Sequence, residues 1–152
     1  MKLDKCHEFF GPIAYLALFL EKEGVRMTKK VRILIADGDE ACLLALANFL
    51  RKMCFCCDCV GNWTETMQML QSKNYDLLLA DSKIVSAKEF VDTVARVAPG
   101  MPIILMADPP VPDIATGLLA SPVVACLVKP MDYAHFEEQV RMAVEHSRLR
   151  RD

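Results

Sequence analysis

Five short apolar runs separated by helical patterns constrain this fold more than any other feature of the sequence. The runs span residues 31–36, 55–60, 76–80, 102–106 and 123–128. Each run is almost continuously apolar, which is typical of strands that are buried on both faces of a parallel sheet. Parallel strands need crossover connections, which are usually helices. The pattern therefore predicts an α/β fold, a doubly wound five-stranded parallel sheet with helices on both faces.

Helical patterns follow four of the five runs clearly. Apolar residues recur at helical spacing over residues 39–53, 64–71, 87–97 and 133–149. The connection after the fourth run differs, because its prolines make residues 108–113 a loop and leave only residues 114–120 for a helix. We therefore expect five helices, of which the fourth is the shortest.

Length and charge limit the class of protein. The chain has 152 residues, of which 53% are hydrophobic, which is enough for one domain with a full core. Its formal net charge is -2, so it lacks the excess of Lys and Arg that a nucleic-acid surface needs. We expect a single domain that does not bind DNA or RNA.

Seven cysteines raise the question of disulfides or a metal centre. Four of them lie within residues 54–59, in the pattern C-x-C-C-x-C. Successive side chains of a strand point to opposite faces, so Cys56 and Cys57 cannot converge on one ion unless the strand breaks. Free cysteine is also commonly buried as a small hydrophobic residue. We therefore expect the cluster to be part of the core of a cytoplasmic protein with reduced thiols.

Residues 1–28 precede the predicted domain, which we expect to cover residues 29–150. They contain an apolar run over residues 9–20 that is broken by Gly11 and Pro12. The run is too short for a membrane span of about 20 apolar residues, and the charges around it differ from those of a secretory signal. The segment is a dispensable extension from an upstream start, a helix that packs on the domain or dimerises, or, with less support, a membrane contact.

Charged residues gather where the predicted strands end. Asp37 and Asp39 follow the first strand, Asp81 the third, Asp108 the fourth and Lys129 the fifth. The carboxyl ends of the strands form the ligand-binding edge of an open parallel sheet. Clustered carboxylates repel one another unless a divalent cation or a lysine shares the site. These residues therefore predict a site that handles phosphoryl groups with Mg²⁺, a lysine, or both.

The order and spacing of these motifs resemble the response-regulator receiver family over roughly residues 29–150. Receivers have an acidic pair after the first strand, an aspartate after the third and Lys-Pro after the fifth. In this sequence, those positions are occupied by Asp37, Asp81 and Lys129-Pro130. The resemblance implies a flavodoxin-like sheet of order 2-1-3-4-5. It also implies that Asp81 accepts the phosphoryl group and that Lys129 pairs with it. Asp37, Asp81 and the backbone carbonyl of Lys83 would hold Mg²⁺.

Three positions depart from the family pattern. Gly38 stands where the second acid normally binds the metal, and Ala107 stands where a Ser or Thr hydroxyl binds the phosphoryl oxygen. Cys126 replaces an aromatic residue that usually moves between exposed and buried positions. Asp39 is an alternative metal ligand, but an acid at a helix start more often caps the helix. We therefore expect weak metal binding and impaired switching.

These features favour a non-catalytic, stand-alone receiver domain of a phosphorelay, because no output domain fits in the remaining residues. Its partners would be a histidine kinase or phosphotransfer protein and a downstream protein or a second copy of the chain. One alternative, favoured by Gly38 and Ala107, is an interaction module that works without phosphorylation. A weaker alternative is a phosphatase that resembles the haloacid dehalogenases, with Asp37 as nucleophile and Asp39 as acid. Against it, no paired acids stand at the end of a further predicted strand after Lys129, where that chemistry needs metal ligands, and the sequence has no candidate cap domain.

Overall fold

The computed structural model describes residues 30–84, 88–110 and 122–151. Five parallel strands form one sheet in the order β2-β1-β3-β4-β5. The strands are β1 (Arg32–Ala36), β2 (Cys56–Val60), β3 (Leu77–Asp81), β4 (Ile103–Ala107) and β5 (Val123–Val128). The helices of the described residues are α1 (Glu40–Lys52), α2 (Trp63–Ser72), α3 (Lys88–Val97) and α4 (Tyr133–Arg151). The sheet order implied by the resemblance is confirmed, whereas residues 1–28 and the helix predicted over 114–120 lie outside the described residues.

Alternate residues of the central strands bury opposite faces of the sheet. Ile35 of β1 and Leu79 of β3 pack with residues of α1 and α4 on one face. Leu34 and Leu78 pack with residues of α2 and α3 on the other face. Burying each such side chain contributes roughly 1.5–3 kcal/mol. Because both faces of these strands are apolar, both must be covered, and the doubly wound prediction is confirmed.

The observed strand bounds differ slightly from the predicted ones, and β5 differs in burial. β3 and β4 each end one residue later than predicted, so that Asp81 and Ala107 are the last residues of their strands. The prediction that β5 is buried on both faces was wrong, because Val124 and Val128 are 45% and 44% exposed. As an edge strand, β5 has a sheet neighbour, β4, on one side only.

The cysteine cluster belongs mainly to the core, as predicted. Cys56 and Cys57 in β2 are both buried, and Cys57 joins the core on the side of α1 and α4. Cys59 is half-buried, whereas Cys54 is exposed in the turn before β2. No disulfide bond joins the six cysteines of the described residues to one another.

Helix α4 is the longest helix of the described residues, with 19 residues. Phe136 and Val140 of this helix are fully buried against the sheet. Phe49 of α1 packs against Phe136 with the ring centroids 5.8 Å apart, which joins the two helices of this layer. Within the described residues, neither α4 nor any other helix is long and apolar enough to cross a membrane.

Candidate functional site

Three strand ends bring Asp37, Asp81 and Lys129 together at the carboxyl edge of the sheet. Asp37 follows β1, and its amide donates a hydrogen bond to the Val60 carbonyl at 3.1 Å. Lys129 follows β5, and its amide donates to the Ala107 carbonyl at 2.8 Å. Asp81 is the last residue of β3. The sheet and the hydrogen bonds that continue it therefore fix the backbone of all three residues.

The Lys129 ammonium lies between two buried carboxylates. Its Nζ atom is 2.6 Å from Asp37 Oδ2 and 2.5 Å from Asp81 Oδ2. The side chains of Asp37 and Asp81 are only 3% and 5% exposed, and that of Lys129 is 13% exposed. Two buried carboxylates side by side are costly without a cation. Lys129 therefore supplies the positive charge that compensates the two carboxylates in this arrangement.

Backbone amides bind the other two carboxylate oxygens. Asp37 Oδ1 accepts a hydrogen bond from the Asp39 amide at 2.9 Å, and Asp81 Oδ1 accepts one from the Lys83 amide at 2.8 Å. Each of the four carboxylate oxygens thus has a donor from the chain itself. Among the described residues, no buried polar side-chain atom lacks a hydrogen-bond partner.

The electrostatic surroundings keep the pair of Asp37 and Lys129 charged. Burial raises the pKa of Asp37, but hydrogen bonds from Lys129, the Asp39 amide and the Cys42 thiol outweigh it and hold the pKa below its usual value. Burial lowers the pKa of Lys129, but hydrogen bonds to Asp37 and Asp81 outweigh it, and the pKa rises above its usual value. Both shifts favour the ion pair at neutral pH.

Cys42 is a contact of the site that sequence reasoning missed. It lies in the first turn of α1, close enough to Asp37 for the thiol and the carboxylate to shift each other's pKa. Burial and the neighbouring Asp37 carboxylate raise the pKa of Cys42 to about 11. The thiol therefore remains protonated at neutral pH. Nothing in the sequence distinguishes this cysteine from a small core residue.

Asp39 is the alternative metal ligand, and Gly38 is the position that lacks the acid of the family pattern. Asp39 is the N-cap of α1, where its Oδ1 atom accepts hydrogen bonds from the amides of Ala41 at 3.0 Å and Cys42 at 3.4 Å. This is the capping interaction that the sequence favoured. Gly38 is exposed, and a Cβ atom built there would meet only the Gly61 carbonyl oxygen, at 3.8 Å. The described surroundings of residue 38 therefore do not require glycine.

A second ion pair lies at the rim of the site. Lys83 Nζ is 3.2 Å from Asp108 Oδ2, and the two side chains are 78% and 48% exposed. The Lys83 ammonium thus pairs with the acid that follows β4 and does not enter the buried carboxylate pair. An exposed pair of this kind contributes at most about 1 kcal/mol.

The two altered switch positions are both part of the packed structure. Ala107 is fully buried at the end of β4, where its carbonyl accepts the hydrogen bond from Lys129. Cys126 of β5 is half-buried and packs against the core on the side of α2 and α3. Neither side chain brings a hydroxyl or an aromatic ring to the site.

The described residues of the site offer only a few oxygen ligands to a hard cation. Magnesium prefers carboxylate and carbonyl oxygens, and Asp37 and Asp81 offer two carboxylates at the strand ends. In residues 30–84, 88–110 and 122–151, no group of three or more His, Cys, Asp or Glu side chains is arranged to hold a metal ion. The residues fit a magnesium ion held by two carboxylates and otherwise by backbone carbonyl and water oxygens.

Known proteins share both the sequence pattern and the fold. Residues 32–145 match the family model described as flagellar regulatory protein FleQ. The chain is 24% identical over 123 residues to the transcriptional regulatory protein ZraR from Klebsiella oxytoca, a match that covers 80% of this chain and 28% of that protein. The chain therefore spans little more than a quarter of the length of this relative.

Solved structures of receiver domains superpose on most of the chain. A signal receiver domain of an HD domain-containing protein from Pseudomonas fluorescens has a TM-score of 0.75 at 21% identity, covering 83% of this chain and 95% of that one. A CheY-like response regulator receiver domain protein from Methanospirillum hungatei has a TM-score of 0.72 at 19% identity, covering 80% and 99%. The chain belongs to the family of the flagellar regulatory protein FleQ, and its fold is that of response-regulator receiver domains.

Proposed function

We propose that this receiver domain accepts a phosphoryl group on Asp81 from a phosphohistidine of a histidine kinase or phosphotransfer protein. The observation that carries the proposal is the position of Lys129 Nζ, 2.5 Å from Asp81 Oδ2 and 2.6 Å from Asp37 Oδ2. A carboxylate nucleophile beside a fixed cation suits phosphoryl transfer, because the transferring group carries negative charge on its oxygens.

The transfer requires one bond to form and one to break. A carboxylate oxygen of Asp81 attacks phosphorus, the P–N bond to the donor imidazole breaks, and its electron pair returns to the imidazole nitrogen. Lys129 then binds an oxygen of the new acyl phosphate, while the Lys83 amide, which is 2.8 Å from Asp81 Oδ1, orients the carboxylate. Asp37 keeps Lys129 charged and in place.

Magnesium, when bound, would add positive charge beside the phosphoryl oxygens. Asp37, Asp81 and the backbone carbonyl of Lys83 are the groups that would hold it. Asp39 already caps α1, and Gly38 contributes no ligand. We therefore propose that the domain holds magnesium weakly and that phosphorylation is slow.

The output of the domain should also be weaker than in other receivers. The phosphoryl group would add negative charge at the strand edge and bias the neighbouring loops. Ala107 cannot form the hydrogen bond that a Ser or Thr would donate, and Cys126 has no ring to reorient. We propose that residues 29–150 act as the receiver unit and that the signal passes by surface contact to a partner protein or a second copy of the chain.

An interaction module that works without phosphorylation is the second candidate. It is favoured because all four carboxylate oxygens of Asp37 and Asp81 already accept hydrogen bonds from the chain. The site is thus satisfied before any phosphoryl group arrives. The phosphatase alternative has less support, since Asp39, its required acid, is engaged as a helix cap.

Intact-mass measurement after incubation with acetyl phosphate, with and without MgCl2, tests the proposal. We expect a magnesium-dependent gain of one phosphoryl group that Asp81→Asn abolishes. Asp108→Asn, which changes an exposed acid at the rim, is the matched control and should still be labelled. No adduct under any condition would favour the constitutive module. An adduct that survives Asp81→Asn but is lost in Asp37→Asn would favour the phosphatase.

A further inference from the structure

A polar pocket lies at the amino edge of the sheet, the edge opposite to Asp81. Its volume is about 470 Å³, within the range of small-molecule sites. It lies between Arg32 at the start of β1, the end of α2 with the following loop, and Val97 at the end of α3. The proposed phosphoacceptor chemistry uses none of these residues.

Two cations line this pocket, Arg32 and Lys73. Among the described residues, the Arg32 guanidinium has no carboxylate partner, although its backbone amide donates to Asp76 Oδ2 at 2.9 Å. Lys73 Nζ lies 3.5 Å from Asp58 Oδ2. That oxygen also accepts a 2.6 Å hydrogen bond from the Tyr75 hydroxyl, so Asp58 does not depend on Lys73 alone.

The other lining groups complement the two cations. Gln71 and Asn74 are exposed and carry amide groups that donate hydrogen bonds. Leu70 and Val97 provide an apolar part of the wall. Among the described residues, no carboxylate lines the pocket, and the two nearest acids, Asp58 beside Lys73 and Asp76 at the Arg32 amide, are buried. The pocket thus combines a planar guanidinium, an ammonium with donors to spare and neutral amides on one concave surface.

We propose that this pocket binds a small molecule through a phosphate group. A guanidinium recognises phosphate oxygens with two parallel hydrogen bonds, and a lysine adds a point charge to the same group. The two amides reach a second phosphate or a sugar hydroxyl, and Leu70 and Val97 contact a less polar part of the ligand. Binding here is separate from phosphorylation, because the pocket and Asp81 lie at opposite edges of the sheet.

Nitrogen-15 NMR titration of the full chain with inorganic pyrophosphate, at constant ionic strength, tests the proposal. We expect saturable shifts of the side-chain amide signals of Gln71 and Asn74. Arg32→Gln should weaken binding about tenfold, because it removes the bidentate donor. Asn74→Asp, which places a negative charge at an exposed position of the pocket, should abolish binding even if Arg32→Gln proves too unstable to measure.

Two control variants distinguish binding of pyrophosphate at this pocket from its non-specific attraction to positive charges. Lys52→Gln removes an exposed cation at the end of α1, on the other face of the sheet, and should leave pyrophosphate binding unchanged. Asp81→Asn should also leave it unchanged, even if it abolishes phosphorylation. Shifts that do not saturate, or that weaken equally in Lys52→Gln and Arg32→Gln, would overturn the proposal.

Discussion

Position 38 is the residue at which a single substitution should change the Mg²⁺ affinity most. Gly38 follows Asp37, and a Cβ atom there would meet only the Gly61 carbonyl oxygen at 3.8 Å. We expect Gly38→Asp to fold and to raise Mg²⁺ affinity about tenfold or more, because it adds a third carboxylate to a two-carboxylate site. Fluorescence of Trp63, the single tryptophan, gives the readout during a MgCl2 titration.

The neutral isostere Gly38→Asn is the matched control for this change. Its side chain has the same shape but no charge, so it should gain much less affinity than Gly38→Asp. Equal affinities in Gly38→Asp and the unmodified chain would show that the carboxylate cannot reach the ion, and that weak metal binding has another cause.

At the scale of elements, the end of α1 contains a residue in a costly conformation. Cys54 has a φ of 66°, in the left-handed region, directly after the C-cap Met53. The Cys54 amide donates to the Arg51 carbonyl and the Phe55 amide to the Leu50 carbonyl, at 2.9 and 3.1 Å. This pattern is a Schellman motif, in which glycine is the preferred residue at the left-handed position.

Cys54→Gly should therefore stabilise the fold. We expect the free energy of unfolding in urea to rise by about 0.5–1 kcal/mol, since glycine adopts this conformation without a steric penalty. Cys54→Ala removes the same thiol but keeps a Cβ atom, and it should give no such gain. If the two variants have the same stability, the left-handed conformation of residue 54 is not the source of strain.

The strands and turns show how much of the fold can be predicted from the sequence. The strands were predicted to within one residue because short continuous apolar runs bounded by polar residues are typical of strands in a parallel sheet. The exposure of Val124 and Val128 was not predictable, because an apolar run does not reveal whether its strand lies at the edge. The left-handed Cys54 and the pairing of Lys83 with Asp108 also escaped prediction, since both depend on local backbone geometry that residue type does not specify.

The sequence predicts which residues come together at the site, but not the hydrogen bonds between their side chains. The order of the parallel strands brings Asp37, Asp81 and Lys129 to the carboxyl edge of the sheet. That order was expected from the resemblance of the sequence to receivers. The bridging position of Lys129 between the two carboxylates depends on side-chain conformations. No pattern of spacing encodes those conformations.

At the scale of the whole molecule, one lysine joins segments that are far apart in the chain. Lys129 is 92 residues from Asp37 and 48 from Asp81, and it links the ends of β1, β3 and β5. Removing one partner of a buried ion pair leaves an uncompensated charge, which costs on the order of 3–5 kcal/mol. Stability of the fold should therefore depend on this side chain more than on any rim charge.

The pH dependence of stability tests this network. The folded pKa of Asp37 is lowered, so its contribution is present above the ordinary value of 3.8 and is lost as pH falls through the folded value. The folded pKa of Lys129 is raised above 10.5, so its contribution is complete below that value and is lost only as pH rises through the folded value. We therefore expect the free energy of unfolding to change little with pH between these limits as far as this pair is concerned.

Lys129→Met keeps the aliphatic part of the side chain but removes its charge. In this variant, the free energy of unfolding should increase as the pH falls from 7 toward 5. In the variant, Asp37 loses the cation that lowers its pKa while its burial remains, so we expect its pKa to rise and protonation to favour the folded state. We expect urea unfolding to show a loss of about 3–5 kcal/mol at pH 7 that shrinks as pH falls toward 5. Lys83→Met, which removes an exposed ammonium, should cost at most about 1 kcal/mol and show no such recovery. If Lys129→Met loses no more than Lys83→Met at pH 7, or loses the same amount at both pH values, Lys129 does not stabilise the charged form of Asp37.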